Sequence, residues 1–135
     1  CRDAFLKVRF DETFHLGYED TLFGMQLEQA GVEILHIDNP VYHLVEENSE
    51  QFLMKIRRAV RNLDGHIEQM HSHVKLLRWY ACVKRLGMAP LVAFLFRQIE
   101  KRLVSNLTSR KPSLKLFAFY KLGYLCNFLS QKKPD

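Results

Sequence analysis

The sequence predicts an α+β fold that is mainly α, a short mixed segment followed by a basic helical cluster. Three observations predict it. The 135 residues are 47% hydrophobic and 26% charged, which is globular composition and excludes disordered, collagen-like and low-complexity chains. From residue 49 onward apolar side chains recur at spacings of three and four, whereas only 32–37 and 41–45 read as short extended runs. Charge divides the chain: residues 1–50 hold 3 basic and 11 acidic side chains, a balance of −8, and residues 51–135 hold 17 and 4, a balance of +13, giving the net +5. An acidic segment that carries chemistry and a basic surface for an anionic partner are expected from that division.

The elements follow in order. Residues 4–10 mix apolar and basic side chains and read as an edge strand or a short helix. Residues 19–30 read as a helix with Glu19 and Asp20 in its first turn, where carboxylates complement the helix dipole. Phe23, Leu27 and Ala30 form its expected inner face and Gly31 its stop. Residues 32–37 are β-branched and bounded by turn residues, which predicts a strand, punctuated by Asn39-Pro40. Asn48 with Gln51 three residues on is a capping-box signature. It opens a helix whose stripe is Phe52, Ile56, Ala59, Val60 and Leu63, with Lys55, Arg57, Arg58 and Arg61 mostly off it. After Asp64-Gly65 three more helices are expected. Ile67, Met70, Val74, Leu77 and Ala81 form one seam, Gly87 and Pro90 break the chain before 91–107, and Lys111-Pro112-Ser113 breaks it before 114–129.

Three cysteines at no metal-like spacing, Cys1, Cys82 and Cys126, read as free thiols in a reducing, cytoplasmic compartment. No signal peptide is visible. The longest charge-free stretches toward the end, 87–96 and 122–131, have ten residues each, against about 20 for a membrane-spanning helix. Residue 1 is Cys rather than Met, and no Gly-rich phosphate loop occurs, which reads as a piece of a longer protein.

The chemistry concentrates at Gly17-Tyr18-Glu19-Asp20, where two adjacent carboxylates follow a Gly-aromatic turn and open a helix. Phe10-Asp11-Glu12 precedes it; Gly24 and then Asn39-Pro40-Val41-Tyr42-His43 follow. This ordered run resembles the C-terminal half of family 2 glycosyltransferases with the GT-A fold, over about residues 1–63. The resemblance implies a C-terminal fragment of a GT-A α/β domain in residues 1–64, with a basic helical extension in 65–135. It implies transfer of a sugar from a nucleotide-sugar donor to a glycan or lipid-linked acceptor, as in bacterial polysaccharide or glycolipid assembly. Asp20 is then the general base and Glu19 its neighbour on acceptor or donor sugar. Gly17, Tyr18 and Asp11 fall in the substrate-binding motifs, and His43 completes a divalent metal site (Mn or Mg). A base must lie within about 3 Å of the attacking hydroxyl on a rigid element, which a helix start supplies. The family's donor-binding half and its Asp-x-Asp motif are absent from these residues, so the chain alone is expected to be inactive, to hold no metal tightly, and to self-associate through unpaired strand edges.

Plainer readings stand beside these. Glu19 and Asp20 fit a charged first turn, His43 a packed or solvated histidine, Asp11 a turn residue, and Gly17 and Gly24 a turn and a close helix contact. His66, His71 and His73 do not share one helical face. Asn106-Leu107-Thr108 matches a glycosylation acceptor without a signal peptide to support it. For the basic half the alternative function is a small helical module on an anionic membrane surface. Nucleic acid is not expected as a partner, because aromatics such as Phe96, Tyr120 and Tyr124 at helical spacing read as core and no recognition motif accompanies them.

Overall fold

The computed structural model describes residues 5–6, 8–11, 14, 17–35, 37–42 and 47–132. Among them it is mainly helical, with six delimited helices and no strand. They are α1 (Glu19–Gln29), α2 (Ser49–Asn62), α3 (Ile67–Met70), α4 (Lys75–Arg85), α5 (Ala89–Leu107) and α6 (Leu114–Gln131).

Local chemistry explains most boundaries. Asn48 Oδ1 accepts from Gln51 N at 2.9 Å and Gln51 Oε1 from Asn48 N at 3.1 Å, closing the capping box of α2. α1 and α4 both end in Schellman motifs: Val32 N donates to Leu27 O and Gly31 N to Glu28 O, as Met88 N does to Val83 O and Gly87 N to Lys84 O. Gly31 (φ +67°) and Gly87 (φ +68°) occupy the left-handed position those motifs require. Ser113 caps α6, and Asn106 Oδ1 accepts from Ser113 N at 3.1 Å, pinning the α5–α6 turn.

α5 and α6 pack along their length as a helical hairpin, and α2 and α4 lie against α6. Phe96 is fully buried, edge-on to Tyr120 and Tyr124 with centroids 5.6 and 6.2 Å apart. Gly123 makes that crossing close, since a Cβ there would lie 2.6 Å from Phe96 Cδ2. Leu63, Met70, Leu77 and Leu125 fill the rest of the centre. α2 is also tied to α6 through polar groups. Arg57 Nε donates to Tyr120 Oη at 2.5 Å, Arg57 Nη2 to Glu100 Oε1 at 2.8 Å, and Arg61 Nε to Tyr124 Oη at 2.6 Å. Each guanidinium also sits over an aromatic face, 5.5–5.9 Å from the centroids of Tyr124 and Phe128.

Four expectations are corrected. The strand at 32–37 is not formed: residues 32–35 and 37 are irregular, and no neighbouring strand among the described residues supplies the ladder that β-branched residues need. Leu35 and Val41 are four-fifths exposed and Tyr42 fully so. The inner face of α1 is Leu22 and Met25, not Phe23, Leu27 and Ala30; Phe23 instead stacks on Phe10 at 4.2 Å. The buried face of α2 is Leu53, Val60 and Leu63, with Phe52 exposed, because the helix also presents Arg57 and Arg61 to α6. The seam expected from Ile67 to Ala81 is broken between α3 and α4, where His71 Nδ1 bonds Glu68 O at 2.9 Å and Ser72 Oγ bonds His73 Nδ1 at 2.8 Å. Such side-chain bonds compete with the helix, and Ala81 is exposed. Four helices, rather than three, follow Gly65 among the described residues.

Candidate functional site

The Gly17–Asp20 turn is built from two consecutive left-handed residues, Gly17 (φ +79°) and Tyr18 (φ +70°). Glycine takes that conformation without strain, whereas tyrosine pays for it, so the surrounding packing must hold the turn. That packing is visible. Gly17 lies against α2 so closely that a Cβ would fall 2.4 Å from Ala59 Cβ and 3.2 Å from Ala59 Cα. Tyr18 packs half-buried on the core, burial pushes its hydroxyl above the ordinary tyrosine value, and its carbonyl accepts the first helical bond, from Leu22 N at 2.9 Å.

The two carboxylates then part company. Glu19 is half-buried, and its Oε2 is shielded from solvent with no hydrogen-bond partner. Phe23 and Gln26, four and seven residues on, share its face of α1, and Gln26 Oε1 is likewise buried and unpartnered. Phe23 on that face meets Phe10 and Phe5, so Glu19 is turned toward the N-terminal segment. Asp20 is exposed on the other side. Its Oδ1 accepts from Thr21 N at 2.7 Å and from Thr21 Oγ1 at 3.3 Å, which fixes one oxygen. Asp11 shapes the preceding turn, its carbonyl accepting from Phe14 N at 3.0 Å. His43 lies outside the described residues.

Beside Asp20 runs a groove of about 390 Å³ lined by Thr21, Gly24, Glu28, Val32, Ile34 and His73, with Met25 at its floor. Gly24 follows Asp20 by one turn, and nothing lies within 4 Å of where its Cβ would be, so it keeps the groove open and is not a close helix contact. His73 Nε2 meets Glu28 Oε2 at 3.3 Å at the far end. The volume is at the lower end for a small-molecule site, and the mixed polar and apolar lining suits such a ligand. Thr21, Gly24 and Glu28 were legible in principle from their three- and four-residue steps along α1; His73, 45 residues from Glu28 in sequence, was not.

Two other features lie apart from this groove. The largest hollow, about 510 Å³, is an open depression over Lys101, Arg102, Ser105, Asn106 and Ser109, too shallow to exclude water. A second groove of about 360 Å³ between α4 and α6 is lined by Leu76, Trp79, Phe119 and Leu122, with Lys75 and Lys121 also in its wall; burial holds the Lys121 amine below its ordinary value. His66, His71 and His73 do not converge: His66 lies on the Phe14 ring at 4.8 Å, and the other two make the separate bonds described above. Among the described residues no three His, Cys, Asp or Glu side chains are grouped closely enough to hold a metal ion. Compared with family models, curated proteins and solved structures, the chain matches none.

Proposed function

We propose that this chain is the acceptor-side part of a nucleotide-sugar glycosyltransferase, with Asp20 as general base. The observation that carries the reading is an exposed carboxylate at a rigid helix start, held by a left-handed turn docked on α2 and opening beside a sugar-sized groove. Asp20 accepts the proton of the acceptor hydroxyl as its oxygen bonds to the anomeric carbon, and the bond from that carbon to the nucleotide diphosphate breaks, the diphosphate leaving with the electron pair. Glu28, His73 and Thr21 offer hydrogen bonds to the acceptor's other hydroxyls. Glu19, turned the other way, supports the turn and reaches substrate only if the N-terminal segment opens.

The apolar side chains exposed along residues 34–42 support the same reading, since they and their irregular backbone lack the sheet that a donor-binding half would add. In the isolated chain they favour self-association. The described residues do not form a metal site, so a Mn or Mg ion serving the leaving diphosphate belongs with the donor-binding half, and the chemistry proposed for this chain is the base's alone.

An antibody raised to this chain tests the first step. On blots of cells that make it, the natural product should exceed 16.0 kDa by a domain of ~100–150 residues. In that product Asp20→Asn should abolish sugar transfer while donor affinity stays within about twofold. A natural product of this chain's own size, or unchanged turnover in Asp20→Asn, overturns the reading.

A further inference from the structure

We infer that the elbow between α4 and α5 docks this protein on an anionic lipid surface. The inference concerns a different face from the Asp20 groove and does not depend on the transfer chemistry. It begins with an anomaly of burial. Leu86, Met88, Leu91, Phe94 and Leu95, clustered within ten residues at the elbow, are 43–61% exposed, and so is Trp79 on α4. Isolated exposed apolar residues are ordinary; a run of this size at one corner marks an interaction surface.

The helical geometry shows that this is a designed face and not a loosely packed core. On α4 the buried positions are Leu76, Leu77 and Tyr80, while Trp79 and Leu86 lie seven residues apart on an outer stripe. On α5 the buried positions are Val92, Ala93 and Phe96, and the outward face changes character along the helix. Its first two turns show Leu91, Phe94 and Leu95; the following turns show Arg97, Gln98, Lys101 and Arg102. The outward apolar surface is therefore confined to the elbow, with cations behind it.

Charge identifies the occupant. From residue 69 to residue 99 there is no Asp or Glu, whereas Lys75, Arg78, Lys84, Arg85 and Arg97 all fall within that span. An apolar tip ringed by cations is complementary to a leaflet with acyl chains below and anionic headgroups above. A protein partner would not require an acid-free surround. Neither helix is long and apolar enough to cross a membrane. The α4–α5 pair passes the test of length and composition only together, and it is bent by 115°. Such a pair cannot span, but it can seat its corner at the depth of the headgroups, where a tryptophan ring is favoured.

Trp79 is the chain's single tryptophan, so its emission reports this face alone. The full 135-residue chain should co-sediment with vesicles of phosphatidylcholine containing about one-third phosphatidylglycerol, and its emission should shift to the blue and be quenched by brominated acyl chains. Binding to pure phosphatidylcholine should be weaker by at least about tenfold, and added salt should erode the difference. Leu91→Glu with Phe94→Glu should lower the partition coefficient by about tenfold or more without changing the helical circular dichroism, because both side chains are half-exposed in the fold. Lys84→Gln with Arg85→Gln should lower it roughly twentyfold on anionic vesicles only, at about fivefold per cation. Three results overturn the inference: no binding to anionic vesicles at low salt; binding without a Trp79 shift or quenching; or a blue shift that grows with protein concentration in the absence of lipid and vanishes as Leu91→Glu/Phe94→Glu makes the chain monomeric, which would assign the face to a second copy.

Discussion

Gly17→Ala tests whether the turn carrying Asp20 is held by α2. Two costs can be worked from the structure. Alanine at φ +79° gives up about 1–2 kcal/mol that glycine does not. The added methyl also falls 2.4 Å from Ala59 Cβ and 3.2 Å from Ala59 Cα, so the turn and α2 must separate by about 1 Å, an overpacking cost of about 1–3 kcal/mol. The sum is about 2–5 kcal/mol, capped by the free energy of local undocking if the N-terminal segment lets go before the helices do. Ala59→Gly separates the two terms. It removes the atom in the way while costing about 1 kcal/mol of helix propensity by itself, so in that background Gly17→Ala should cost only the backbone part, about 1–2 kcal/mol. Urea unfolding followed by circular dichroism gives the four corners of the cycle, and hydrogen exchange at residues 17–29 shows whether loss is local. A coupling below about 0.5 kcal/mol, or a Gly17→Ala cost equal in both backgrounds, would refute docking of the turn on α2.

Three further outcomes are expected. Gly24→Ala should stabilise by up to about 1 kcal/mol, because its Cβ meets open space in mid-helix, whereas Gly123→Ala should destabilise by about 1–2 kcal/mol, because its Cβ meets the buried Phe96 ring at 2.6–2.9 Å; thermal melts of the two variants should move in opposite directions. Arg57→Lys should lose about 1–2 kcal/mol, since an ammonium cannot bond Tyr120 Oη and Glu100 together in the same geometry, and the loss should shrink in a Tyr120→Phe background. Stability should be full below pH 9 and fall between pH 9 and 11: burial pushes the Cys126 thiol from 9.0 to about 11, so the unfolded chain sheds that proton first, at a cost of at most about 2–3 kcal/mol. Tyr80 and Tyr120, also raised by burial, act in the same sense, and Lys121, lowered by burial, opposes them; Cys126→Ala should flatten the fall seen in urea titrations at pH 8 and 10.5.

What was legible in the sequence was chemistry that closes within a turn. The Asn48–Gln51 box, the stops at Gly31 and Gly87, and the Ser113 start are each decided by residues a few positions apart. Legibility failed where the decision lies with a distant element. Phe23 reads as a core position until Phe10 takes it to another face. Arg57 and Arg61 read as solvated charges until two tyrosines 63 residues away bond them. Residues 32–37 carry strand chemistry, but a strand exists only with a partner, and none stands beside them among the described residues. At the candidate site Asp20 was recognisable by position, whereas the different orientation of Glu19 and the groove reaching His73 depend on tertiary packing.

The arginine–tyrosine ladder gives the basic helices a role in the acidic segment's chemistry. Gly17 rests on Ala59 of α2, and two and four residues either side of the spot where it rests, Arg57 and Arg61 are clamped to Tyr120 and Tyr124 of α6. Lys132, just past the end of α6, reaches Asp64 at 2.7 Å just past the end of α2, so both ends of that contact are tied. The turn that presents Asp20 therefore stands on α6 through a single intervening helix, although the expected boundary at residue 64 separates them in sequence. α6 in turn packs against α4 and α5, whose elbow is the proposed lipid-facing corner. A base needs placement to a fraction of an ångström, and a two-residue left-handed turn on an irregular segment cannot supply it alone. Stiffness borrowed through Ala59, the arginines and the tyrosines can, which is why a substitution in α6, far from any reacting atom, should disturb Asp20 more than one in the exposed 34–42 segment close to it in sequence.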